Sequence, residues 1–200
     1  MTGPAVGSER LEAIKIREAF GGALTKVCDK LDETYLCIRR EKIADVIQFL
    51  KDDADLAYDY FVECLGVDYL TWKGERDVDG RFEVVYNLYS TKNLSRIYLK
   101  VGVDDGQSVP TAKHVFLGAE YPEREIWDLF GVVFEGNQHS GRFLLPDNWK
   151  GHPLRKDEPL GGEDVVFAQG TEGPAVEDES TPHAGESFEG ETGSEKIGGR

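Results

Sequence analysis

Residues 121–136 read YPEREIWDLFGVVFEG and set Glu123, Arg124, Glu125 and Asp128 among tryptophan, phenylalanine and valine. Two carboxylates at close range can share acid–base work, as in glycoside hydrolysis, when burial or a like charge lifts one of their pKa values. On a helix, Glu120 and Asp128 each lie four residues from Arg124, so one arginine can bridge both acids along one stripe. A neighbouring guanidinium lowers a carboxyl pKa, and this pairing argues against a catalytic dyad. Glu123 and Glu125, two apart, do not share a helix face. Glu125 is left without a partner and is the candidate acid or base of the run. An independent hydrolase using Glu125 or Asp128 is the enzymatic reading that follows.

Other chemistries find less support. His114, His139 and His152 fall at no ligand spacing such as HxxxH and read as surface or loop-capping histidines. Cys28, Cys37 and Cys64 are an odd number, far apart and without a CxxC; they read as small apolar side chains in or near strands, kept reduced. No GxGxxG follows a strand, and GxxxxGK[ST] and GxSxG are absent. Nothing nominates a nucleophile, a phosphate cradle or a metal site. The net charge of −15 and the isoelectric point near 4.7 repel phosphate backbones and anionic headgroups, which makes nucleic acid an improbable ligand. No window approaches the ~20 apolar residues that cross a bilayer, and residues 1–16 show neither a secretion signal nor a presequence, so membrane association is expected through a partner.

What stands out is composition. Aromatic and charged residues alternate through Trp127, Phe130, Phe134, Arg142, Phe143, Trp149, His152, Arg155 and Lys156, in a region punctuated by Gly131, Gly136, Gly141, Pro146, Gly151 and Pro153. Tryptophan, phenylalanine and arginine are favoured at interface cores, and frequent glycine and proline fix an extended path. The pattern fits a protein-binding surface better than an enzyme cleft.

The elements that position these residues can be read from periodicity. Ser8 can cap a helix running toward Phe20, ended by Gly21 and Gly22. Apolar runs at 24–28 and 34–38 bracket DKLDE, a hairpin turn. Ile43, Val46, Ile47 and Leu50 fall at i, i+3, i+4 and i+7, the stripe of an amphipathic helix. A strand is predicted near 61–69, interrupted at Gly66. Phe82, Val84, Tyr86 and Leu88 share one face of the next, and Ile97, Leu99, Val101 and Val103 one face of its antiparallel neighbour. Pro110 is expected to open a short helical segment, and Pro122 sits where a first-turn proline is tolerated. The expected class is α+β: a largely antiparallel or mixed sheet with helices on one side.

Composition changes near Gly161. From there to Arg200, ten acids face one lysine and one arginine, so this stretch carries −8 of the total charge. It is rich in glycine and serine and is expected to be disordered or ordered only on a partner, which divides the chain into a domain at 1–160 and an acidic tail at 161–200.

At three places the sequence resembles a known family, the 30 kDa subunit of proton-pumping NADH:quinone oxidoreductase, respiratory complex I. The motifs are EREIWDLFGVVFEG at 123–136, LLPDNWKGHPLRKD at 144–157 and, less specifically, GVDYL at 66–70. The resemblance implies an α+β domain in the hydrophilic arm, docked chiefly on the 49 kDa quinone-site subunit and in contact with the membrane arm only indirectly. It implies no cofactor in this chain, with FMN, Fe–S clusters and quinone held by partner subunits. The implied location is peripheral, on the cytoplasmic face of a bacterial cell membrane.

By position in the motifs, Glu123, Arg124, Glu125, Asp128, Phe130 and Gly131 belong to the motif helix and its end, and the stretch with His152, Pro153, Arg155, Lys156 and Asp157 to a docking strand or loop. With Arg142 and Trp149 they form the expected interface. The chain departs from the family where it has Asn137-Gln138-His139-Ser140-Gly141-Arg142 in place of a His-Pro turn followed by further arginines. Equivalent subunits serve related ferredoxin- or F420-fed quinone reductases and membrane-bound hydrogenases, which the motifs do not separate.

Overall fold

The computed structural model describes residues 10–30, 33–137 and 141–158. Helix α1 spans Leu11–Phe20 and is followed by strand β1, Leu24–Lys30, and strand β2, Glu33–Ile38. Helix α2 covers Ile43–Asp52, and three long strands follow: β3 at Tyr60–Asp68, β4 at Phe82–Ser90 and β5 at Ser95–Val103. Short strand β6, Ser108–Pro110, precedes helix α3 at Glu120–Phe130, and β7, Val133–Glu135, pairs with β6 in parallel. The five long strands form one mixed sheet in the order β1-β2-β5-β4-β3, parallel between β2 and β5 and antiparallel elsewhere.

The alternation in β4 and β5 sets the core. Phe82 pairs with Val103, Val84 with Val101, Tyr86 with Leu99 and Leu88 with Ile97, so the two apolar faces coincide, and all eight side chains are buried. Onto that face α2 lays Ile43, Val46, Ile47 and Leu50, each wholly buried, and α1 contributes Ala13 and Ile16 to the same cluster. The helices therefore share one hydrophobic core with one side of the sheet. All three cysteines lie on strands, buried and reduced.

Three expectations change. The residue at the N-terminus of α1 is Arg10, and Ser8 lies outside the described residues, as do Leu31 and Asp32 of the hairpin turn, Gln138 to Ser140 and the acidic tail. β3 runs unbroken through Gly66; its irregularity falls between Phe61 and Glu63. Gly66 has a packing role instead, since a Cβ there would stand 2.9 Å from Ile126 Cγ2 and 3.1 Å from the Phe130 ring, so α3 could not lie as close. Pro110 closes β6 and opens no helix, being tolerated at the end of a short ladder where its missing N–H costs little. The sheet is mixed, one of the two forms expected, because β2 joins β5 in parallel.

Candidate docking site at the end of the third helix

Along α3, positions 123, 126, 127 and 130 fall at i, i+3, i+4 and i+7, so Glu123 occupies the stripe that faces the core. It is wholly buried. Its carboxylate accepts hydrogen bonds from the Ala112 backbone N–H at 2.7 Å, Asn137 Nδ2 at 3.0 Å, the Tyr86 hydroxyl at 3.2 Å and the Thr111 hydroxyl. Burial pushes its pKa above the usual carboxylate range, and these four donors only partly counter it. The group straps α3 to β4 and to the segments after β6 and β7.

Asp128 is buried as completely and has the opposite electrostatics. Its Oδ2 accepts the backbone N–H groups of Phe143, Leu144 and Leu145 at 3.1, 2.8 and 2.9 Å, and its Oδ1 pairs with Arg142 Nη1 at 3.1 Å. Burial pushes this carboxyl up, but the three amides and Arg142 outweigh it and hold its pKa below the ordinary value.

The segment holding Asp128 also closes the helix. Gly131, at φ +79° and ψ +15°, returns its N–H to Trp127 O at 2.8 Å. The next three carbonyls would be orphans at a free helix end. Here Asp128 O meets His152 Nδ1 at 2.8 Å, Leu129 O accepts the Leu154 N–H at 3.1 Å, and Phe130 O accepts Arg155 Nε at 2.7 Å. With a carbonyl as its partner, His152 carries its proton on Nδ1. Arg142 and Arg155 bring positive charge to the negative end of the helix dipole. Arg155 continues to Asp105 at 3.0 Å. The Lys156 N–H binds Asp68 Oδ2 at 2.9 Å, and Arg81 joins Asp68, at 3.0 Å, to Asp157.

The sequence expectations divide accordingly. The bridge from Glu120 through Arg124 to Asp128 does not form: Asp128 turns to Arg142 and the 143–145 amides, and Glu120 pairs with Lys113 at 2.8 Å. The Arg124 guanidinium lies over the Phe143 ring at 5.1 Å, and its buried Nε has no hydrogen-bond partner among the described residues. Glu123 and Asp128 were expected at an interface, but both are closed off inside the chain. Asp128 is likewise excluded as a hydrolase residue, since both oxygens are taken and no surface is exposed. Glu125 is exposed.

Arg142, Trp149, His152, Pro153 and Arg155 are brought together around the end of α3 and are partly exposed, as are Phe130 and Gly131 at that end; Lys156 and Asp157 are exposed. Sequence reasoning missed Asn137, Thr111, Tyr86, Asp68 and Arg81. One signal was available: a tyrosine on the buried face of β4 needs a partner for its hydroxyl, and an acid on the apolar stripe of α3 needs donors.

Among the described residues, no three His, Cys, Asp or Glu side chains are placed to hold a metal ion, and no helix is long and apolar enough to cross a membrane. Besides Glu125, Lys156 and Asp157, aromatic and aliphatic side chains reach the surface around α3. Tyr121, 58 % exposed, stacks on Phe143 at 5.5 Å, and Leu144 and Leu154 are about half exposed.

A small α+β domain that spends Glu123 and Asp128 on its own scaffold and presents apolar side chains around them has the surface of a binding module. Residues 36–164 match the family described as respiratory-chain NADH dehydrogenase, 30 Kd subunit. The chain belongs to that family. The NADH-quinone oxidoreductase C subunit of Roseiflexus castenholzii is 49 % identical over 154 residues, covering 76 % of this chain and 85 % of its relative. The same subunit of Geobacter sulfurreducens is 41 % identical over 152 residues, 76 % of this chain and 90 % of that one. Among solved structures, a trypsin-resistant fragment (1-134) of Nqo5 superposes with a TM-score of 0.55 at 28 % identity, over 64 % of this chain and 99 % of the fragment.

Proposed function

We propose that this chain is a non-catalytic structural subunit of the peripheral arm of an NADH:quinone oxidoreductase, docked on the 49 kDa quinone-site subunit. It supports electron transfer from NADH to quinone, coupled to proton translocation, without carrying an electron itself. FMN, Fe–S clusters and quinone reside in partner subunits, contact with the membrane arm is indirect, and the chain lies peripherally on the cytoplasmic face of a bacterial cell membrane. The observation that carries this reading is the fate of the motif charges. Glu123 and Asp128 are satisfied inside the fold, leaving Tyr121, Glu125, Leu144 and Leu154 to face outward, which is contact chemistry and not acid–base chemistry.

The test is affinity purification of the tagged full chain from its native host in mild detergent. The quinone-site subunit is expected to co-purify, and the isolated chain to show no oxidation of NADH by quinone. Recovery of the chain as a monomer alone would overturn the proposal.

A further inference from the structure

Among the described residues, β3 is the outermost strand of the sheet and pairs with β4 alone. The Tyr69 N–H donates to Arg81 O at 3.0 Å just beyond its end. Residues of an antiparallel strand alternate between turning both backbone groups toward the partner and turning both away. Counting back from Tyr69 through the in-register pairs, Leu65 and Val67 bond to β4, whereas Cys64, Gly66 and Asp68 direct N–H and C=O away from it; Gly66 is partly exposed, and Cys64 and Asp68 are largely buried. Among the described residues, no backbone group of another element bonds to the backbone of these three; the Lys156 N–H binds the Asp68 side chain.

The irregularity of the strand lies at its start, between Phe61 and Glu63, and its later part runs in register. Tyr60–Asp68 contains no lysine and no proline, the residues that commonly discourage strand addition. Beside the edge lies a cavity of about 170 Å³ between β3 and the outer flank of α3, with Cys64, Gly66, Ile126, Leu129, Phe130 and Leu154 in its lining. Among the described residues, Glu125 is the one charged residue that lines it, and it is exposed and forms no ion pair. A strand added to this edge would project alternate side chains toward the cavity. A second copy of β3 would bring only its own acids, Glu63 and Asp68, to a site whose single charge is already negative.

We propose that the open edge of β3 receives an extended segment of a neighbouring subunit, which adds a strand to the sheet, seats one apolar side chain in the cavity and brings a lysine or arginine to Glu125. This rests on the subunit reading above and names where one contact is made and by what chemistry.

Hydrogen–deuterium exchange of the tagged full chain, free and within the complex purified from its host, tests it. In the complex, the Cys64 and Gly66 amides are expected to exchange about tenfold or more slowly than in the free chain, while those of Leu65 and Val67 keep their rates. Glu125→Lys is expected to lower recovery of the complex about tenfold with unchanged thermal stability, and Glu125→Gln to lower it less. A complex recovered with Cys64 and Gly66 exchanging as in the free chain overturns the strand addition and leaves the subunit reading standing. Recovery of a lone monomer overturns both. Slow exchange of these amides already in the free chain, monomeric or dimeric, means that the chain fills its own edge and also overturns the proposal.

Discussion

Removing the Asp128 carboxylate should unfasten the end of α3. In Asp128→Ala, the Phe143, Leu144 and Leu145 amides, now 2.8 to 3.1 Å from the carboxylate, lose their acceptor, and Arg142 loses the partner at 3.1 Å. Removing one side of a buried ion pair costs about 3–5 kcal/mol. Arg142 keeps its bonds to Trp149 O and Gly151 O, both at 3.0 Å, so the loss is expected in that range and not above it. For a domain of this size, that corresponds to a fall of roughly 6–20 °C in melting temperature.

Asp128→Asn keeps one oxygen for the amides but sets an NH2 group against the guanidinium, and should cost about half as much. The assay is urea and thermal unfolding of the full chain followed by circular dichroism. The pH dependence has a definite sign. Because the folded carboxyl titrates below its ordinary value, its stabilisation is complete above the unfolded pKa of about 3.9 and disappears as pH falls through the lower folded pKa. The gap between wild type and Asp128→Asn should therefore narrow only below about pH 4. If both variants unfold within about 1 kcal/mol of wild type at pH 7, Asp128 does not organise this end of the helix.

Glu123 should behave in the opposite way: its folded pKa is raised, so ionisation disfavours the fold as pH climbs from the unfolded value of about 4.3 through the folded one. Glu123→Gln should remove that dependence and stay within about 1.5 kcal/mol of wild type, because the buried Asn137 Oδ1, without a hydrogen-bond partner among the described residues, can turn to accept from the new amide; urea midpoints between pH 4 and 8 decide this. Gly131→Val, at a left-handed φ and with its Cβ 2.7 Å from the His152 ring, should lose about 2–4 kcal/mol; an unchanged melting temperature would show that the cap is misassigned. Gly66→Ala should cost about 1–3 kcal/mol by pushing against Ile126 and Phe130, and Gly66→Val more; equal stability of all three in denaturant would contradict the close approach of α3 to β3. Glu125→Gln should leave stability within about 0.5 kcal/mol of wild type by the same measurement, since its carboxylate is exposed.

The fold was legible where period and burial coincide. The stripe from Ile43 to Leu50 and the paired faces of β4 and β5 announce themselves because each apolar position is buried against the same core. Gly131 was legible for a local reason, a glycine directly after a helical run ending in Phe130. Pro110 was misread because proline tolerates both a helix start and a strand end, and only the pairing of β6 with β7 decides between them. The charges of α3 were misread for a related reason. Spacing of four brings Arg124 near Asp128 on an isolated helix, but such a pair contributes only ~0.2–0.5 kcal/mol, too little to compete with three backbone amides from a segment fifteen residues further on. Long-range backbone donors leave no trace in residue type.

The two long motifs are therefore parts of one device. The first supplies a helix that ends on Gly131 with three carbonyls to satisfy, and the second supplies His152, the Leu154 N–H and Arg155 to satisfy them. Their joint presence marks a folding requirement before it marks a partner contact. A substitution at Asp128, Arg142 or Arg155 would thus reduce assembly by way of a loosened domain, and loss of assembly alone would not locate an interface there. Glu125 differs: it lies within the first motif, takes no part in the cap and faces outward beside the open edge of β3. Its substitution can separate contact from folding, because only a partner would register the change.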